Sequence, residues 1–276
     1  MKKNLDKQVV ESFGDEWKKF NHHHFDSSSL KDSFNQYFDI FPLDSLNVES
    51  EGFDMGCGSG RWSKFIAPHV GKLNLIDPSQ DALSSAMQHL SDHTNCNYIC
   101  SGVSETNIQE GSQDFGYCLG VLHHIPDTQK GINDCSKLLK KGAPFLLYLY
   151  YRFDNKPLWF KGIWYLSNIF RLLISSMPKT IKNFICEVIA IIVYLPLAKI
   201  SKTFETAGIN VDNFPLSDYR SKPFYILRND ARDRFGTKLE KRFTKNEIKE
   251  MLDRAGLELV RFSEQTPYWV CLSSKR

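Results

Sequence analysis

The chain has 276 residues, enough for one large core with additions, since a single hydrophobic core stops growing at roughly 250–300 residues. Hydrophobic residues make up 42% and charged residues 24%, a globular balance that excludes a chain disordered throughout. A formal net charge of only +3 gives no basic field of the kind that nucleic-acid binding needs, so no nucleic-acid partner is expected.

The amino-terminal MKKNLDKQVVESFGDEW places acids directly after its first lysines and holds no apolar h-region, so no secretory signal is expected and the location is read as cytoplasmic. The seven cysteines (Cys57, Cys96, Cys100, Cys118, Cys135, Cys186, Cys271) are scattered, odd in number and without a C-x-x-C pair, and read as reduced thiols. Val9, Val10, Phe13, Trp17 and Phe20 recur at three- and four-residue steps, and Phe34, Tyr37, Phe38 and Phe41 do likewise, which predicts two amphipathic helices. Between them His22, His23 and His24 are adjacent, so their side chains point in different directions. The run reads as a solvated turn before Asp26, and no metal site is predicted.

From Val48 to Tyr151, strand-like runs (GFDM, KLNLI, NYIC, FGYCLGVL, PFLLYLYY) alternate with helix-like stretches (Arg61 to His69, Asp81 to Leu90, Gln129 to Leu139). That alternation is the sequence form of a doubly wound α/β fold with a mostly parallel sheet. From Asn155 to about Lys202 long apolar stretches take over, and a polar, arginine-rich segment follows to Arg242. In the tail, Thr244 and Glu247 form a capping box, Ile248, Met251, Leu252 and Ala255 make one helical face, and Gly256 stops the helix. Two strands, Leu257 to Ser263 and Tyr268 to Ser273, then suit a terminal antiparallel hairpin. The predicted organisation is an N-terminal helical arm (1–45), a core (46–154), an inserted helical cap (155–242) and a final helix and hairpin completing the core (243–276).

The sharpest signal is Asp54-Met55-Gly56-Cys57-Gly58-Ser59-Gly60, set between a strand end and a helix-like stretch. Glycines there permit a tight turn and let a ligand approach the main chain, in the crevice outside the carboxyl ends of the strands. A dinucleotide fingerprint wants a further glycine, but Arg61 stands in its place. Asp54, just before the loop, can orient an ammonium group, and Asp77-Pro78 at the end of the next strand can accept the hydroxyls of a ribose.

In these residues the chain resembles the class I S-adenosylmethionine-dependent methyltransferases, which carry D-x-G-x-G-x-G and then an acid at the end of the second strand. Asp114 to Asp127 is similar to the family's fourth-strand segment, and Leu138-Leu139-Lys140-Lys141-Gly142-Ala143-Pro144 to the turn before its fifth strand. The resemblance implies a Rossmann-like fold with S-adenosyl-L-methionine as cofactor. It assigns Asp54, Gly56, Gly58 and Gly60, with Cys57 among them, to the methionine end, Asp77 and Pro78 to the ribose, and Leu119 and Gly120 to the middle of the cofactor. Where many members have Gly-Asp-Ala after the third strand this chain has Ser101-Gly102-Val103-Ser104, which leaves adenine to the backbone of Val103 and Ser104.

The implied reaction is methyl transfer to a small-molecule acceptor: a glycan precursor, a lipid or a quinone-like intermediate. A nicotinamide oxidoreductase and a non-catalytic protein with the same fold remain as alternatives. Positioning supplies most of such a displacement, with a base where the acceptor carries a proton of high pKa, and His124 after the fourth strand is the predicted base. Tyr150 and Tyr151 at the end of the fifth strand, and Trp17 from the amino-terminal helix, are predicted to line the acceptor pocket. Between Lys156 and Lys202 seven basic residues face Glu187 alone, so this apolar insertion is read either as a soluble lid or as a peripheral membrane contact through 155–202 that meets an apolar or lipid-linked acceptor. Neither apolar stretch reads as a membrane span. Arg220, Arg228, Arg232, Arg234 and Arg242 could hold a phosphate or carboxylate on the acceptor.

Overall fold

A computed structural model of the chain describes residues 4–7, 9–11, 14 and 27–276. Trp17 and the run His22 to His24 lie outside the described residues. The chain divides into two compact units, Met1–Arg152 with Lys241–Arg276, and Phe153–Glu240.

The first unit is built on strands β1 (Glu51–Met55), β2 (Lys72–Asp77), β3 (Cys96–Cys100), β4 (Phe115–Leu119), β5 (Pro144–Tyr148), β6 (Leu257–Phe262) and β7 (Cys271–Lys275). They form one sheet in the order β3-β2-β1-β4-β5-β7-β6. The first five pair in parallel, and β7 runs antiparallel between β5 and β6. The strand order reverses between β1 and β4, which opens a crevice beyond their carboxyl ends. Period-two alternation divides the core into two layers: Phe145, Leu147 and Leu149 join Phe53, Met55 and Ile248, whereas Leu146 and Tyr148 join Phe38, Trp62 and Ile66.

Helices α1 (Ser27–Phe38), α2 (Ser63–Ile66), α3 (Gln80–His89) and α4 (Thr128–Leu138) belong to this unit, as does the last helix, α9 (Lys245–Arg254). Their starts are chemical. Ser79 accepts from the Ala82 amide, Asp127 from the Lys130 amide, and Thr244 with Glu247 completes a capping box. The structure departs from the sequence reading in three local places. After the glycine loop the helix lasts only four residues and ends in a 3-10 turn, Ala67–His69, because Pro68 cannot continue the α-helical bonding. Strand β5 stops at Tyr148, and the last strand begins at Cys271 rather than Tyr268.

The second unit is helical: α5 (Leu158–Ser175), α6 (Lys179–Ile189), α7 (Leu195–Thr206) and α8 (Phe224–Gly236). A π turn at Ala190–Tyr194 joins α6 to α7, so Lys179–Thr206 is one helix of 28 residues, long and apolar enough to cross a membrane by length and composition. This corrects the reading of the second apolar stretch, Val188 to Ala198, as too short. Pro196 lies inside this continuous helix, where its missing N–H removes one backbone bond, and the π turn before it accommodates the ring. Four of the five arginines read as acceptor ligands turn to acids of their own unit: Arg220 to Glu205 at 2.7 Å, Arg228 and Arg232 to Glu187 at 2.7 and 3.3 Å, and Arg234 to Glu240 at 2.5 Å. Charge balance inside the unit employs them.

Candidate active site

The chain leaves β1 through Gly56, Gly58 and Gly60, whose φ angles are +78°, +54° and +74°. Side chains would be strained in that region, and space is tight as well: a Cβ on Gly56 would stand 2.4 Å from the Val121 side chain, and one on Gly60 2.9 Å from Leu90. The amides of Gly56 and Cys57 both bond the Ile76 carbonyl, at 2.7 and 3.1 Å, which ties the loop to the tip of β2. Cys57 is buried, and burial pushes its thiol well above the ordinary range, so it is a packing group rather than a nucleophile.

Asp54 is 2% exposed. Its Oδ2 accepts from Ser63 Oγ at 2.6 Å, and Ser63 Oγ lies 3.1 Å from the Tyr117 hydroxyl. Burial pushes this carboxyl up to about 7, against the lowering effect of the Ser63 and Tyr117 hydroxyls. Asp77 binds the loop itself: Oδ2 accepts from the Gly58 amide at 3.0 Å and Oδ1 from the Ser79 amide at 2.8 Å. Burial raises it to about 6, opposed by those two amides. A carboxylate has about four lone-pair sites, so each oxygen keeps capacity for a ribose hydroxyl. Pro78 follows, half-buried, and fixes the turn.

On the far side of the crevice Leu119 ends β4, and Gly120, at φ +82°, would meet no described atom within 4 Å of a Cβ, so it borders open space. Val103, three residues past the end of β3, is buried. The Ser104 hydroxyl donates to Asp134 at 2.6 Å and accepts from Lys130 at 2.8 Å, so its one donor is already used. The residues present fit S-adenosylmethionine: two buried acids able to face an ammonium and a ribose, an open glycine, and a buried apolar residue beyond the third strand.

Beyond β4, the 3-10 turn Leu122–His124 brings two histidines together. His123 is fully buried; its Nδ1 accepts from the Tyr150 amide at 3.3 Å and its ring stacks on Tyr150 at 3.8 Å. Burial, with the charges of His124 and Arg242, holds its pKa well below the usual value, so this ring stays neutral with its proton on Nε2. His124 is 4% exposed, with its ring 5.5 Å from that of Tyr150. Arg242 lies over the Tyr150 ring at 5.0 Å. Alternation past β5 continues, with Tyr150 packing in the layer of Tyr148 and Tyr151 in the opposite one.

The structure thus gathers Asp54, the glycine loop, Asp77, Val103, Leu119, Gly120, His124 and Tyr150 at the carboxyl edge of one sheet. Sequence reasoning missed Ser63 and Tyr117, which hold Asp54; alternation along β4 places Tyr117 and was the signal available. It also missed the amino-terminal strap. Asn4 exchanges two hydrogen bonds with the backbone of Asp127, both 2.8 Å, and a Cβ on Gly14 would stand 2.6 Å from Ser79 Oγ. No local signal marks contacts that span 123 residues. Among the described residues no group of three His, Cys, Asp or Glu side chains is placed to hold a metal.

A family described as a methyltransferase domain matches residues 53–142. The ubiquinone biosynthesis O-methyltransferase of Coxiella burnetii is 31% identical over 91 residues, 33% of this chain and 39% of that protein. Its counterpart in Idiomarina loihiensis is 30% identical over 112 residues, 40% of this chain and 45% of that protein. The chain therefore spans less than half the length of these relatives. A SAM-dependent methyltransferase of Thermotoga maritima shares the fold, with a TM-score of 0.51 and 12% identity over 97% of this chain and 100% of that one.

Proposed function

We propose that this chain, which carries a class I S-adenosylmethionine-dependent methyltransferase domain, methylates a hydroxyl of an apolar small molecule of quinone-like or lipid-linked character. One observation carries the reading: the glycine loop, two strand-end acids and the His124 and Tyr150 pair meet at a single crevice edge. The named relatives act on oxygen, which supports a hydroxyl acceptor. Such acceptors partition into bilayers, so peripheral membrane contact through 155–202, on the cytoplasmic side, belongs to the same proposal.

When bound, S-adenosylmethionine supplies a methyl group on a positively charged sulfur. Asp54 orients the ammonium group, Asp77 accepts the ribose hydroxyls, and the backbone of Val103 and Ser104 meets adenine. His124 would take the acceptor hydroxyl's proton at a ring nitrogen, which readies that oxygen for the methyl group the cofactor would supply. His123, neutral and stacked on Tyr150, positions that tyrosine as one wall of the acceptor site, and Tyr151 extends the same segment. Calorimetry with S-adenosylhomocysteine and with NAD, joined to transfer of labelled methyl from S-adenosylmethionine into a lipid extract, tests the reading. Binding of NAD alone would overturn the cofactor, and label confined to water-soluble products would overturn the acceptor class.

A further inference from the structure

Among the described residues, eighteen of the twenty-one exposed large apolar side chains fall between residues 158 and 209. Soluble surfaces seldom gather apolar side chains on that scale without a partner. Helix α5 inverts the usual arrangement. Leu158, Ile163, Leu166, Ile169, Phe170 and Leu173, each more than half exposed, share an outward arc that carries no charge. The polar residues face inward: Arg171 is 5% exposed, donates to Asn168 Oδ1 at 2.7 Å and caps the carbonyls of Thr237 and Lys238 at 3.1 and 3.2 Å. The long helix repeats the design, with Ile181, Phe184 and Ile192 outward and Cys186, Ala190 and Tyr194 inward against Leu227 and Ala231 of α8.

We infer that α5 and the α6–α7 helix dock this protein flat on an anionic lipid bilayer, their apolar arcs at the acyl boundary and their basic residues among the headgroups. The inference rests on the proposed apolar acceptor for its purpose alone, and the test below uses no acceptor. Charge complementarity selects the occupant. Of the seven basic residues between 156 and 202 Arg171 is turned inward, which leaves six against Glu187, and Glu187 is already held by Arg228 and Arg232. A second copy laid on this face would oppose two surfaces of like charge, whereas anionic headgroups neutralise them. The α6–α7 helix does not span, although it is long enough. Its inward face is fixed to α8, and a crossing would carry Arg228, Asp230, Arg232 and Asp233 of that helix into hydrocarbon.

The test is co-sedimentation of the full chain with vesicles of phosphatidylglycerol and phosphatidylcholine, beside phosphatidylcholine alone. The anionic vesicles should carry the protein down at low salt, and 0.5 M salt should weaken the partition roughly tenfold or more, because the headgroup attraction is screened. The triple variant L166S/I169S/F170S should lose roughly a hundredfold in partition, with circular dichroism and S-adenosylhomocysteine affinity unchanged as its control for folding. Alkaline carbonate should release the bound protein. Absence from the anionic pellet at low salt overturns the proposal, as does undiminished binding by the variant. Resistance to carbonate would make the helix a span and overturn the flat mode. A stable dimer that the variant splits, with no lipid binding, would assign the face to a second copy. None of these readouts depends on methyl transfer, so a failed acceptor assignment is told apart from a failed docking surface.

Discussion

Replacing Asp77 by asparagine separates the residue's two duties. The carboxylate holds the Gly58 and Ser79 amides in the protein and, when the cofactor binds, the ribose hydroxyls. The stability effect is a near cancellation. Burial lifts the pKa from 3.8 to about 6, and a raised carboxyl destabilises the fold as pH rises through that window, by about 3 kcal/mol above it. Asparagine removes that penalty at pH 7.5. It also leaves one of the two amides facing an NH₂ group, at about 1–3 kcal/mol, and weakens the other bond by about 1 kcal/mol. The melting temperature should therefore move by only a few degrees. Cofactor affinity has no such compensation: with charge-assisted bonds to two hydroxyls weakened, S-adenosylhomocysteine should bind roughly ten- to a hundredfold less tightly. Calorimetry and thermal denaturation on the same preparation decide. Unchanged affinity refutes the ribose assignment, and affinity lost only together with the fold refutes the cancellation.

Gly56→Ala should destabilise the protein by about 2–4 kcal/mol, since its φ is +78° and its Cβ would overlap Val121, and Val121→Ala should return part of that loss, as read by denaturant titration. His124→Ala should lower turnover by about 10²–10⁴ while S-adenosylhomocysteine affinity changes little, and near-normal turnover across pH would make the ring structural. Asp54, pushed up to about 7, is half protonated near neutrality; if it pairs with an ammonium, affinity should rise toward pH 7 by up to about tenfold per unit and level off above, with a proton released on binding that buffers of different ionisation enthalpy report. The same raised pKa means that stability from this group is present below about pH 4 and is lost as pH rises through 7.

What the sequence alone determined is whatever short-range chemistry dictates. Glycines at 56, 58 and 60 announce a turn that needs positive φ, Thr244 and Glu247 announce a helix start, and alternation from Pro144 to Tyr151 sends neighbouring side chains to opposite layers. Each of these signals is complete within a few residues. The tertiary structure decided everything that depends on a distant partner. Asp54 meets Ser63 and Tyr117 only once β1 and β4 are paired, and Arg228 and Arg232 cease to be available for an anion only once α8 lies on Glu187. The inversion of α5 shows the point most plainly. Its sequence left a soluble lid and a membrane contact both open, and in the fold Arg171, Asn168 and Ser175 took the inside because carbonyls at Thr237 and Lys238 stood ready to bond the guanidinium, and a buried charge is stable only where such partners exist.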